Sequence, residues 1–251
     1  VTMIKFFRKI RQNLLMENKT GKYLKYAIGE IVLVMIGILF ALQVNNWNNK
    51  HIENNRAESF KVKMKTQLDG NISRVEYSLK VLQWRDSISQ KLIFIIGDDN
   101  KTNIDGKIDS LVSVNMFDFH LNLNMNTLIE GRENGDLALI ASDSLRQIIY
   151  DISTMYDSVK ERERIANQDN IDLFIPYLNK RYNMRNGMIS FFGQNRQIER
   201  SKVYKGDNWK MLEDQEFENL INSRMVYNQD LLQQYKELQN ILIITHGLLE
   251  K

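Results

Sequence analysis

A carboxylate stands inside the most apolar stretch of this 251-residue chain. Glu30 lies within Ala27–Val44, a run whose only other polar side chain is Gln43. An ionisable group in such a run is costly and is by default a functional candidate. On a helix it sits beside Gly29, Leu33, Gly37 and Ala41, a row recurring every fourth residue whose small members allow a second helix to approach closely. One chemistry is a proton-responsive carboxylate of the kind used by single-span subunits of energy-transducing complexes. The simpler reading needs no chemistry: Glu30 follows Lys25 near the headgroups, at the favourable positive end of the helix dipole.

The other reactive side chains are dispersed. His51, His120 and His246 have no second ligand at metal-binding spacing. Asp98, Asp99, Asp105 and Asp109 have the density of a calcium loop but not its glycine and terminal glutamate offsets, so a solvated loop is expected. Glu161 and Glu163 alternate with Arg162 and Arg164, which reads as a solvated charged face rather than an acid/base pair. Arg146 could meet a ligand carboxylate, but an ordinary salt bridge is the simpler expectation. There is no nucleophile elbow, phosphate loop or dinucleotide fingerprint. With no cysteine, thiol chemistry and disulfides are excluded. The expected class is therefore not an enzyme, with no cofactor and no metal.

The elements that position these residues begin with the apolar run itself. Eighteen residues at ~1.5 Å each give about 27 Å, close to the hydrocarbon thickness of a bilayer. Seven Lys or Arg against one acid occupy residues 1–25, and Tyr23, Tyr26 and Trp47 fall where interfacial aromatic anchors belong. A single transmembrane helix over 21–48 is expected, with the N-terminus cytoplasmic by the positive-inside rule. A cleaved signal peptide fits less well, since Gln43-Val-Asn45 offers no small-residue cleavage site.

The net charge of +3 is concentrated in that arm, leaving the rest mildly acidic. No basic stripe lies elsewhere, so nucleic acid is not an expected partner. Residues 1–20 contain an amphipathic basic pattern, with Met3, Phe6, Phe7, Ile10 and Leu14 on one face, expected to lie on the cytoplasmic leaflet.

Beyond the span, Phe60, Met64, Leu68, Ile72, Val75, Leu79, Leu82, Ile88, Leu92 and Ile95 keep helical spacing and predict a long helix continuous with it, with Gly70 a weak point. Short helices are expected over 107–118 and 124–134, the second capped at Asn134-Gly135. Ser142 or Asp143 caps a helix whose apolar face runs from Leu145 to Val159. Pro176 kinks it or opens the next piece. Residues 186–208 read as a short hairpin or an irregular loop. A final helix runs from about Asp214 to Leu249. The architecture expected is all-α: an amphipathic helix, one transmembrane helix, and an elongated antiparallel periplasmic bundle over 49–251.

The string Met3-Ile-Lys-Phe-Phe-Arg-Lys-Ile-Arg11, followed by Gly29-Glu-Ile-Val-Leu-Val-Met-Ile-Gly37-Ile-Leu-Phe-Ala-Leu-Gln43-Val-Asn45-Asn-Trp47-Asn48, resembles an uncharacterised family. Its members are small membrane-anchored proteins of flavobacteria and their relatives, in the phylum Bacteroidota. The block Leu128…Gly135-Asp-Leu137-Ala-Leu-Ile140…Leu145-Arg146 is similar to that family's second motif, with Ile149-Tyr150 in place of its usual Tyr-Tyr. The resemblance implies a bacterial inner-membrane protein with a helical periplasmic domain, and implies no reaction.

The function expected is that of a membrane-anchored interaction or scaffold protein. Its partners are the lipid bilayer and either further copies of itself or another inner-membrane protein. The alternatives are a periplasmic sensor or ligand-binding bundle, and an accessory subunit of an energy-transducing complex.

Overall fold

The computed structural model describes residues 20–98, 108–192, 199, 201–204 and 208–250. Every regular element among them is helical: α1 (Thr20–Ile95), α2 (Ile108–Asn115), α3 (Asn126–Glu133), α4 (Asp143–Asp169), α5 (Ile175–Arg181), α6 (Met184–Phe192) and α7 (Gln215–Leu248). Short 3-10 turns cover Leu137–Leu139 and Asn208–Glu213. The amphipathic pattern of residues 3–16 lies outside the described residues, as do Asp99 and Asp105.

The chain divides into two compact units, Val1–Glu58 and Ser59–Lys251. In the first, the described part is α1 alone, and every residue from 31 to 56 is exposed. In the second, α1, α4 and α7 share a core. Phe60, Met64, Leu68, Val75, Leu79 and Leu82 of α1 meet Ile149, Ile152, Val159 and Ala166 of α4 and Leu231, Tyr235, Leu238 and Leu242 of α7. Full burial of each such aliphatic side chain contributes about 1.5–3 kcal/mol. A second cluster joins Leu92, Val112, Phe174, Leu178, Met211, Phe217 and Ile221.

Local chemistry sets the element ends. Gly97 at φ +77° and Gly135 at φ +77° supply the left-handed residues that follow α1 and α3. Gly70 leaves α1 unbroken. Ser142 caps α4, its side chain accepting from the Leu145 N–H at 3.2 Å. Asp214 caps α7 by accepting from Glu216 N–H at 2.9 Å. Pro176 lies in the first turn of α5 and cannot bond the carbonyl four residues earlier. The wider π turn Asn170–Phe174 absorbs that misfit between α4 and α5.

Three expectations change. Residues 116–125 are not helical, and α2 and α3 stop short of them on either side. The hairpin considered for 186–208 is not formed where the chain is described, because Ile189–Phe192 complete α6. The long helices are not uniformly antiparallel. Asn71, Arg74 and Arg85 of α1 bond residues 124, 122 and 117–118 in that order, while Tyr156, Glu163 and Asn167 of α4 bond residues 123, 121 and 119. The segment between therefore runs against both helices, and α1 and α4 are parallel. Only α7 opposes them, as Asn228 to Leu82, His246 to Asp69 and Glu250 to Lys65 show.

Candidate functional site

The most organised polar chemistry in the second unit surrounds that extended segment, residues 116–125. An extended chain advances about 6.6 Å in two residues, and a helix about 6 Å in four. Side chains one helical turn apart can thus serve alternate residues of a strand laid alongside. On α4, Asn167 Oδ1 accepts from Phe119 N–H at 2.8 Å while its Nδ2 donates to Phe119 O at 2.9 Å. One turn earlier, Glu163 accepts from Leu121 N–H at 2.8 Å. Tyr156 Oη then donates to Leu121 O at 3.2 Å and accepts from Leu123 N–H at 3.1 Å.

α1 serves the other side. Asn71 exchanges both bonds with the Asn124 backbone, at 2.8 and 2.7 Å, and Gln67 accepts from Thr127 N–H at 2.6 Å. Arg74 donates to Asn122 O at 3.1 Å. Sheet-like bonding is supplied here by helix side chains, which is how a buried non-helical backbone is satisfied.

The upper end is held by two buried arginines. Arg85, 6% exposed, and Arg224, 1% exposed, both donate to Phe117 O, at 2.6 and 2.8 Å. Their guanidinium carbons lie 4.1 and 4.8 Å from the centroid of the Phe119 ring, a double cation–π contact. Burial pushes both below the usual arginine range, and for Arg85 the neighbouring Arg224 charge adds to it. Asp118 and Asp169 oppose that effect at Arg224. Glu163, 2% exposed, also takes the Tyr235 hydroxyl and pairs with Lys160. Burial and then Glu163 raise the Tyr235 phenol above its ordinary value.

This overturns the reading of Glu163 as part of a solvated face: it is buried and pinned to the strand. Its neighbour Glu161 is exposed and pairs with Arg164 at 2.8 Å, as a surface charge would. Asp109 is likewise buried, accepting from Asn208 Nδ2 at 2.7 Å. The seam's signal was present in the sequence: Gln67, Asn71, Arg85 and Ser89 interrupt the apolar stripe of α1 at core spacing, as Arg224 and Asn228 do on α7. Ser89 donates to Asn115 Oδ1 at 2.7 Å, while Gln67, Asn71, Arg85, Arg224 and Asn228 bond backbone, so the seam acts as a clamp on the chain.

The residues singled out in the sequence fall in two places. Leu128, Leu137, Ile140 and Leu145 are buried in the first core cluster. Arg146 pairs with Asp143 and donates to Ile140 O, so its guanidinium ties the 3-10 turn to α4. Gly29, Leu33, Gly37, Ala41, Tyr26 and Trp47 are exposed on α1, and Glu30 is half-buried. A Cβ added at Gly29 or Gly37 would meet nothing. The side chain of Tyr23 lies outside the described residues. His51 stacks on Trp47 and lies 3.3 Å from Asn55, and His120 lies 2.9 Å from Asn122. Among the described residues, no three His, Asp or Glu side chains gather as a metal-binding set.

α1 is the one helix among the described residues that is long and apolar enough to cross a membrane, and none of its apolar window is buried. Comparison with protein-family models, curated proteins and solved structures returns no match to this chain.

Proposed function

We propose that this chain is a single-pass bacterial inner-membrane protein. Its cytoplasmic N-terminal arm is basic, and its periplasmic helical domain serves interaction or scaffolding rather than catalysis. The observation that carries the reading is the surface of α1 from 27 to 44. Leu33 is 69% and Phe40 71% exposed, within a helix that buries none of that surface inside its own chain. Contiguous apolar surface of this extent is covered by lipid or by another chain. The basic arm sets the orientation. Gly29, Glu30, Leu33, Gly37 and Ala41 provide a face for self-association or for another inner-membrane protein.

The absence of native cysteine makes the test direct. Single-cysteine variants Lys9→Cys and Val203→Cys are to be probed in intact cells with a membrane-impermeant maleimide. Labelling at 203 alone, with the protein retained in the membrane after alkaline wash, is the expected result. Release by the wash, or labelling at 9 alone, would reverse the anchoring or the orientation respectively.

A further inference from the structure

The apolar core of the second unit is interrupted at one level on three helical paths. On α1, the buried positions between Leu82 of the first cluster and Leu92 of the second are Arg85 and Ser89. On α7, those between Ile221 and Leu231 are Arg224 and Asn228. Between Ala166 of α4 and Phe174, the buried position is Asn170, which opens the π turn. Hydrogen bonds set the three breaks side by side. Asn228 donates to Leu82 O at 3.0 Å, Arg224 to Ala166 O at 2.8 Å, and Asn170 to Met116 O at 3.0 Å. A polar layer thus separates two apolar lobes, one around each cluster.

This layer joins the lobes less firmly than the packing on either side of it. Arg85 and Arg224 bring two guanidinium groups to the same Phe117 carbonyl, where like charges repel. Asn170 Oδ1, Arg224 Nε, Asn228 Oδ1 and Asp169 Oδ2 are buried without a hydrogen-bond partner in the chain. A buried polar network left partly unsatisfied is weaker than apolar packing of the same volume. The backbone is irregular at the same level, since the π turn Asn170–Phe174 and the non-helical residues 116–118 both lie there. Helices depart from the α form in this way at hinges and functional sites.

We infer that the layer is a hinge about which the second lobe opens as a unit while the first stays folded. Cooperative opening follows boundaries that few apolar contacts cross. The second lobe is the one that opens, because its cluster joins 12 buried residues among those described against 21 in the first. The first is also braced by the bonds of α1 and α4 to residues 119–124. Opening at this layer is independent of whether α1 is anchored.

Hydrogen–deuterium exchange of the full-length chain in detergent, read by mass spectrometry at rising urea below the global transition, tests the hinge. Amides of α2, α5 and residues 219–222 should share one opening constant. It should be at least tenfold larger than that of residues 149–166 and 231–245. Equal protection in the two lobes would overturn the hinge, and so would a graded loss within the second lobe, which is fraying. Asn228→Leu places an apolar side chain in the layer and should reduce the ratio between the lobes at least threefold. An unchanged ratio in that folded variant would remove the layer as the cause. Should the variant not fold, the wild-type comparison decides alone.

Discussion

Two parts of α1 use asparagine in opposite ways. In the second unit, Asn71 is 1% exposed and both its amide groups are consumed by the backbone of residue 124. In the first, Asn45, Asn46, Asn48 and Asn49 are all exposed on a helix that nothing among the described residues covers. The same residue type binds the backbone of an internal non-helical segment in one place and lies on the exposed helix surface in the other. Where the chain supplies its own complement, polar residues in a helix stripe become structural. Where it does not, the same residues stay exposed on the helix surface.

The sharpest way to break this contrast is to remove the most buried polar group of the clamp. Arg224→Ala deletes the donors to Ala166 O and Phe117 O and the stacking on Phe119. Denaturant unfolding of the detergent-solubilised full chain should show a loss of about 4 kcal/mol. A loss below about 1 kcal/mol would mean that the clamp is dispensable. Asn71→Ala leaves a backbone donor and acceptor of Asn124 unpaired and should cost about 2 kcal/mol by the same assay.

Packing around the strand offers an independent check. Gly131 meets the Phe60 ring so closely that a Cβ there would overlap it. Gly131→Ala should destabilise by about 2 kcal/mol. The double variant with Phe60→Leu should recover part of that loss, and a purely additive result would contradict the contact.

Burial also leaves a pH signature. Tyr177, Tyr182 and Tyr235 all have phenols raised above the ordinary value, chiefly by desolvation. Below about pH 10 both folded and unfolded forms keep these protons, and the contribution is complete. As pH rises further the unfolded chain ionises first, so stability falls until the folded values are reached. Chemical unfolding at pH 9, 10 and 11 should show this decline, and Tyr235→Phe should flatten it by up to about 1.4 kcal/mol per pH unit. A slope identical to wild type would remove Tyr235 from the explanation. The smallest effect is expected at Asn49→Ala, on the exposed part of α1, which should shift unfolding of the second unit by less than about 0.5 kcal/mol.

Much of the helical framework was legible because its determinants are local. Ser142, Asp214 and Gly135 cap or terminate elements through bonds within a few residues, and the apolar stripe of α7 repeats at 3.6. The clamp was legible only in part: polar breaks in the α1 and α7 stripes mark two of its sides, but its α4 side was hidden for the opposite reason. Glu163 and Asn167 look like surface residues of a charged helix, and only a strand 40 to 50 positions away in sequence makes them core. Residues 117–125 do alternate, Phe117, Phe119, Leu121, Leu123 and Met125 against Asp118, His120, Asn122 and Asn124, which announces an extended segment but not the helix side chains that bind it. The parallel course of α1 and α4 follows from those bonds, and was hidden with them.

The most direct measurement is a nitroxide scan of single-cysteine variants along residues 28–56, in full-length protein reconstituted into bilayers. Collision with a lipid-soluble quencher is compared with collision with a water-soluble one. A lipid-phase maximum within 28–44, giving way to aqueous access over 45–56, is the predicted result. Aqueous access at every position from 28 to 56 would contradict a membrane-embedded α1, and with it the anchored function.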